Sequence, residues 1–310
     1  MQKICVIGGN RYFGTLLVQR LQAAGHHVTV INRGSAAPPA GVEHLVADRD
    51  DETALTAALA SRTFDVVVDQ VCYTPVQAAI AARAFRGRTR RYVMTSTIEV
   101  YDPATGARHA VPPGTPVPEE AVDAAAWPVD EGLPWHDDSY RDAHYAEGKR
   151  QAEAVLTRHG DFAFAAVRSA HVLGGGAQEF TGRLAHYADR IGRGEPVAVH
   201  PAVLPTVFVH WEELAAVLLW AATGTDFTGG VNACSDGLLD VRDLGAVVAA
   251  GTGREPAYRV VAAGEEASPF SVDRHYAMSN ARAKRLGFVF SRTADWLPGA
   301  VAETLVASAH

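Results

Sequence analysis

The sequence predicts an α/β fold: a doubly wound parallel sheet followed by a smaller mixed α/β region. Three observations carry that reading. Short apolar runs alternate with helical stretches from residue 3 to residue 168, the rhythm of parallel βαβ units. A glycine-rich turn, Gly8 to Gly14, separates the first apolar run from the first helical stretch. After Gly174 the alternation loses its regularity, and helical patterns outnumber strand patterns.

Residues 3–7 are the first strand, stopped by Gly8-Gly9. Residues 12–24 have helical spacing, with Phe13, Leu16, Leu17 and Leu21 on one side and Gly25 as C-cap. Strands are expected at 27–31 and 42–46, a helix at 54–60, a strand at 65–69, a helix at 75–85 and a buried strand at 91–95. Residues 102–140 break the rhythm: Pro, Gly and acidic side chains dominate, with Trp127 and Trp135 as the large apolar groups. This stretch reads as a long insertion over the sheet edge, either a lid or a plain surface loop. A helix at 145–158 and a strand at 163–168 resume the pattern. The first unit is thus 1–170 and the second 171–310, with the chain crossing back between them. In the second, helices are expected at 179–193, 211–222, 241–250, 280–286 and 293–307, and short strands at 197–199, 206–209 and 230–232. No internal repeat is visible.

Composition narrows the classes. The 310 residues are 48% hydrophobic and 20% charged, as in globular domains. A net charge of −7 disfavours a phosphate-tracking nucleic-acid surface. No apolar stretch reaches the roughly 20 residues of a membrane span, and no signal peptide precedes the first strand. Cys5, Cys72 and Cys234 lie far apart beside apolar runs, which suits reduced core residues in the cytoplasm and no metal site.

Gly8, Gly9, Asn10, Arg11, Tyr12, Phe13 and Gly14 stand where a Rossmann turn presents backbone N–H groups and a helix N-terminus to a pyrophosphate. Gly8 permits the tight turn and Gly14 the close helix–sheet contact. Strand two ends at Asn32-Arg33, where NAD-preferring folds carry an acid for the ribose hydroxyls. A guanidinium there suits a 2′-phosphate, with Arg11 as a second cation, so NADP(H) is expected over NAD(H). Asp48, after strand three, is placed to accept from the adenine amino group.

Tyr145 and Lys149 are four apart and share one helix face. An ammonium beside a phenol favours phenolate and lowers the phenol pKa, which makes a general acid/base for a substrate hydroxyl or carbonyl. Ser96-Thr97 lies in the right order between the glycine turn and this pair.

Together these segments resemble the extended and atypical short-chain dehydrogenase/reductases, the NAD-dependent epimerase/dehydratase family. Gly8 to Gly14 is similar to the GxxGxxG turn, with Arg11 at the middle glycine, as in the branch that includes chloroplast stem-loop-binding proteins. Residues 92–101 resemble the strand bearing the family's catalytic Ser/Thr. Tyr145 and Lys149 match YxxxK, residues 208–215 resemble FVHVDDLA, and residues 278–288 the C-terminal helix. The resemblance implies that Thr97 orients the reacting oxygen, Tyr145 exchanges its proton, and Lys149 lowers the phenol pKa and binds the nicotinamide ribose. It also implies a homodimer through the Tyr-bearing helix.

Departures from the family pattern shape the substrate reading. Ile98 stands where sugar-nucleotide dehydratases have an Asp, and a hydrocarbon cannot protonate a leaving group. Glu99 alone could serve as a base, or be a paired strand-end acid. His171 replaces an Asn that contacts the diphosphate, and is either a substrate group or a satisfied structural histidine. Pro205-Thr206-Val207 lacks the Arg of nucleotide-sugar members. The expectation is an NAD(P)-dependent oxidoreductase acting on a carbonyl or secondary alcohol of a small molecule. The alternatives are a nucleotide-sugar epimerase or dehydratase with tightly held NAD(P), and a non-catalytic NADP sensor or RNA binder.

Overall fold

The computed structural model describes residues 1–102, 105, 115–262, 264–274 and 277–308. The first half runs β1 (Lys3–Ile7), α1 (Tyr12–Ala23), β2 (His27–Asn32), β3 (Glu43–Val46), α2 (Glu52–Leu59), β4 (Phe64–Asp69), α3 (Pro75–Ala84) and β5 (Thr89–Thr97). Two helices, α4 (Asp138–Ala143) and α5 (Tyr145–His159), then lead to β6 (Ala163–Ser169). The rest comprises β7 (His171–Leu173), α6 (Arg183–Arg193), β8 (Val197–Val199), β9 (Phe208–His210), α7 (Trp211–Thr223), β10 (Gly229–Ala233), α8 (Val241–Thr252), β11 (Tyr258–Val260), α9 (Ala281–Arg285) and α10 (Thr293–Ser308).

Among the described residues, seven strands form one parallel sheet in the order β3-β2-β1-β4-β5-β6-β10. The order reverses between β1 and β4, so a crevice opens at their C-terminal ends, next to the glycine turn. Alternation along β1 shows how both faces are filled. Ile4 and Val6 join the core shared with α1 and α7, whereas Cys5 and Ile7 join the one shared with α2, α3 and α5. A third core, from Leu173, Leu184, Tyr187, Phe208, Leu244 and Leu297 among others, holds the C-terminal elements together. The three cysteines are buried and free.

Several elements differ from expectation for local reasons. Helix α2 begins at Glu52 because the Asp51 side chain caps it, accepting from Ala54 N at 2.9 Å. Helix α6 begins only at Arg183, after Gly182 at φ +65°. Strand β5 spans nine residues. Strands β7 and β11 and helix α4 have no counterpart in the pattern reading.

Residues 115–137 of the insertion are built into the body. Trp127 and Trp135 are buried, Val117 bridges to Met278, and the Glu119 carboxylate accepts from Asn232 N on the edge strand β10 at 2.8 Å. Residues 103, 104 and 106–114 lie outside the described residues. Among the described residues no helix is long and apolar enough to cross a membrane, and no cluster of three His, Cys, Asp or Glu could hold a metal ion.

Candidate functional site

The turn after β1 has the conformation its glycines allow. Gly8 (φ +93°) and Gly9 (φ +82°) are left-handed, and Gly8 N donates to Ile31 O at 2.9 Å, tying the turn to β2. A Cβ on Gly14 would overlap the Gln70 side-chain oxygen and come within 3.0 Å of Gly9 Cα. The helix therefore sits directly against the end of β4. Arg11, the N-cap of α1, is extended and offers no side-chain cap, so the first N–H groups of the helix lie open to the cavity beside it. Tyr12 has φ +53°, which for a residue with a Cβ costs about 1–3 kcal/mol. A buried hydrogen bond from its hydroxyl to Gly174 O, 2.7 Å, and parallel stacking on Trp211 at 5.8 Å hold it there.

A cavity of about 470 Å³ runs from this turn across the ends of β2, β3 and β4. Gly8, Gly9, Asn10, Arg11, Tyr12, Phe13, Asn32, Arg33 and Asp48 line it, while Gly14 lies behind the lining. Asn10 Nδ2 donates to Ala36 O at 2.7 Å and folds the loop after β2 against the turn. Asn32 is oriented by neighbours that fix its amide. Gly34 N can only donate, so the atom facing it at 2.7 Å is Oδ1, which also meets His44 Nε2 at 3.0 Å. Asn32 Nδ2, Asn10 Oδ1 and Gln70 Nε2 are buried without a hydrogen-bond partner among the described residues. A polar ligand in this cavity satisfies such groups, and the glycine cradle admits a phosphate to the backbone. The residues present thus fit a dinucleotide. Arg11 and Arg33 are exposed on the rim, and neither guanidinium makes a hydrogen bond or ion pair among the described residues. Asp48 Oδ1 accepts from Asp50 N at 3.0 Å.

At the end of β5 the Thr97 side chain accepts from Glu99 N at 3.2 Å and stands near the Tyr145 phenol. Tyr145 opens α5, and Lys149 follows one turn later. A Cβ on Gly148 would overlap the Tyr73 carbonyl oxygen, so glycine lets this helix close on the loop after β4. That approach sets Lys149 Nζ 4.5 Å above the Tyr73 ring and 5.7 Å from the Tyr145 ring, with its proton donated to Thr95 O at 2.9 Å.

The electrostatic balance differs from the sequence expectation. Burial, with Tyr73 adding to it, pushes the Tyr145 phenol above its ordinary value, and the nearby Thr97 hydroxyl pulls the other way. Burial likewise pushes Lys149 down to about 8. The expected lowering of the phenol by the ammonium is therefore corrected: desolvation outweighs it, and the lysine is turned toward Thr95 O and the Tyr73 face. The phenol is the protonated, donor form at neutral pH.

Thr97, Tyr145 and Lys149 do not themselves line the cavity, which meets them through Tyr73, and the other candidates lie off it as well. Glu99 is half-buried, with a carboxylate oxygen 3.7 Å from Arg274 Nη2. His171, on β7, is buried against Phe208 (5.9 Å) and Phe270 (5.1 Å). Burial, then the Arg183 and Arg274 cations, push it down to about 3, so its ring is neutral. It packs among aromatics and does not line the dinucleotide cavity. Ile98 is buried.

Pattern reading missed further cavity residues, among them Gln70, Tyr73, Arg141 and Phe180. It also missed the support behind Thr97. Ser96 Oγ donates to Glu153 Oε1 at 2.5 Å, and Glu153 forms a fully buried ion pair with Arg168 at 2.6 Å. Arg168 Nη1 donates to Tyr101 Oη and to Glu119 O, each at 2.8 Å. Glu153 lies one turn beyond Lys149, a spacing that could have signalled it.

Comparisons with known proteins agree with this geometry. Residues 4–232 match the model of the NAD dependent epimerase/dehydratase family. The 2′-dehydrokanamycin reductase of Streptomyces kanamyceticus is 35% identical over 105 residues, 33% of this chain and 30% of that protein. The chain thus matches less than a third of the length of this curated relative. Among solved structures, the Bordetella bronchiseptica enzyme WbmH in complex with NAD+ superposes with a TM-score of 0.71 at 18% identity, covering 100% of this chain and 99% of that one. The UDP-glucose 4-epimerase of Thermotoga maritima with UDP-glucose gives 0.73 at 16% identity, covering 99% and 98%. These likenesses show the fold.

Proposed function

Because the chain belongs to the NAD dependent epimerase/dehydratase family, we propose that it is an NADP(H)-preferring oxidoreductase that interconverts a carbonyl and a secondary alcohol on a small molecule. The observation that carries this is Lys149, buried and 5.7 Å from the Tyr145 ring, with Thr97 near that phenol and the glycine-turn cavity reaching the group through Tyr73. A bound nicotinamide dinucleotide supplies or accepts the hydride. Thr97 orients the reacting oxygen and Tyr145 hands it the proton. A protonated phenol at this place donates to the carbonyl oxygen as hydride is delivered. Lys149 keeps a positive charge near the oxygen that receives the proton. Gly8 to Gly14 would cradle the pyrophosphate, and Asp48 the adenine.

The NADP(H) preference rests on Arg33 and Arg11 at the rim and on an amide, Asn32, in place of an acid at the end of β2. The relative named 2′-dehydrokanamycin reductase supports net reduction of a carbonyl. A small molecule is the proposed partner of the site, within a cytoplasmic homodimer, and the net charge of −7 speaks against nucleic acid. The second reading, epimerisation with retained NAD(P), is favoured by the family match itself. Ile98 and the packed His171 speak against a sugar-nucleotide dehydratase.

The test is substrate profiling of Tyr145→Phe against wild type, with cofactor binding measured in parallel. The variant should bind cofactor normally and lose about 10²–10⁴-fold in turnover. Undiminished turnover would sink the mechanism. Products formed without added reductant would favour the epimerase reading.

A further inference from the structure

We propose that Tyr12 is a positioning residue that couples the glycine turn to the loop 174–182, so that a dinucleotide seated on the turn holds Phe180 over the cavity. The inference rests on the reading of that cavity as a dinucleotide site. Tyr12 belongs to two structures at once. Its backbone is the first residue of α1, within the turn. Its side chain is buried and leaves the turn for the loop, where the hydroxyl donates to Gly174 O at 2.7 Å. The ring lies parallel to Trp211, with 1° between planes, and edge-on to Phe180 at 6.1 Å.

The loop is clamped at this end. A Cβ on Gly174 would come within 2.6 Å of His210 Nε2, and one on Gly175 within 2.9 Å of Tyr12 Cε2. Gly175 N donates to Glu303 Oε2 at 3.0 Å. Gly174, Gly175, Gly176 and Gly182 all have positive φ, so both ends of the segment have freedom that other residues lack. Between them Phe180 is 66% exposed and yet lines the cavity. Its ring therefore has somewhere to go when the cavity fills. Ligand contacts to the N–H groups of the turn fix the left-handed backbone of Tyr12. The rigid phenol passes that constraint to the Gly174 carbonyl, and the coupling is reciprocal: a held loop slows cofactor release.

Hydrogen exchange of the full-length protein, with and without saturating NADPH, tests this alongside calorimetric binding. In wild type, cofactor should slow exchange in both 8–14 and 174–182. Tyr12→Phe keeps the ring and loses the hydroxyl. It should still protect 8–14 when cofactor binds, lose most of the added protection of 174–182, and release cofactor about 10-fold faster, as the reciprocal coupling requires. A purely structural role would lower protection with and without cofactor alike. Phe180→Ala, at an exposed position the fold does not need, should speed cofactor release about 10-fold. Equal cofactor-induced protection of the loop in Tyr12→Phe, or unchanged release from Phe180→Ala, overturns the coupling. Failure of wild type to bind either NADPH or NADH overturns the dinucleotide reading, and the coupling with it.

Discussion

Lys149 is a cation held where water cannot reach it. Its amino group keeps one backbone acceptor and the face of Tyr73, and burial pushes its pKa down to about 8 from an ordinary 10.5. Between those two values the unfolded chain binds more protons than the folded one, so stability must rise with pH through that window. The rise attributable to this group is of the order of 3 kcal/mol. Urea titrations of wild type and Lys149→Met from pH 7 to pH 10.5 should show the wild-type curve climbing relative to the variant. Parallel curves would mean that the ammonium is better solvated than its surroundings suggest. Tyr145 and Lys149 stand out as a pair in the sequence because their spacing is local, whereas Thr97, far away in the chain, enters only through the family resemblance. The electrostatic balance was not legible there, because the desolvation that sets it comes from Tyr73, Thr95 and the strands around them. Gln70 and Phe180 were illegible for the same reason: each reaches the cavity from a loop whose path depends on the whole sheet.

A glycine within a helix normally costs stability, and replacing it with alanine normally gains about 1 kcal/mol. Gly148 in α5 reverses the sign, since the new methyl group meets the backbone carbonyl of Tyr73, which cannot swing aside as a flexible side chain can. Gly148→Ala should destabilise by about 1–3 kcal/mol in chemical denaturation and shift both Tyr145 and Lys149. A neutral or stabilised variant would show that the loop after β4 yields. The buried Glu153–Arg168 pair ties α5 to β6 and to the insertion. Glu153→Ala leaves an unpaired buried guanidinium and should cost about 3–5 kcal/mol. Tryptophan fluorescence during urea unfolding would register it, and a loss below 1 kcal/mol would count against the pair's structural weight. Elements carried by long periodic runs, such as α1, α3 and α5, stood out in the sequence. Strands β7 and β11 did not, and α4 was masked by the polar composition around it.

A ligand that binds only the folded chain adds its binding energy to stability, about 2.7 kcal/mol at one hundred times its dissociation constant. Melting curves with NADPH and NADH should therefore rank the two cofactors. Arg33→Ala should weaken NADPH about 10-fold and leave NADH nearly unchanged; an equal effect on both would remove the 2′-phosphate role of Arg33. At this scale the doubly wound sheet was readable from the alternation of runs. The place of β10 beside β6 was only partly so, because it depends on a chain return that no local pattern encodes. That return has a consequence for synthesis. Until β10 arrives, β6 offers a bare row of backbone groups to any passing strand. The roughly 60 residues between Ser169 and Gly229 take about 3–12 s to emerge at 5–20 residues per second. During that interval the nascent chain is adhesive along one side, and a fragment ending at residue 170 should self-associate in light scattering where the full chain does not.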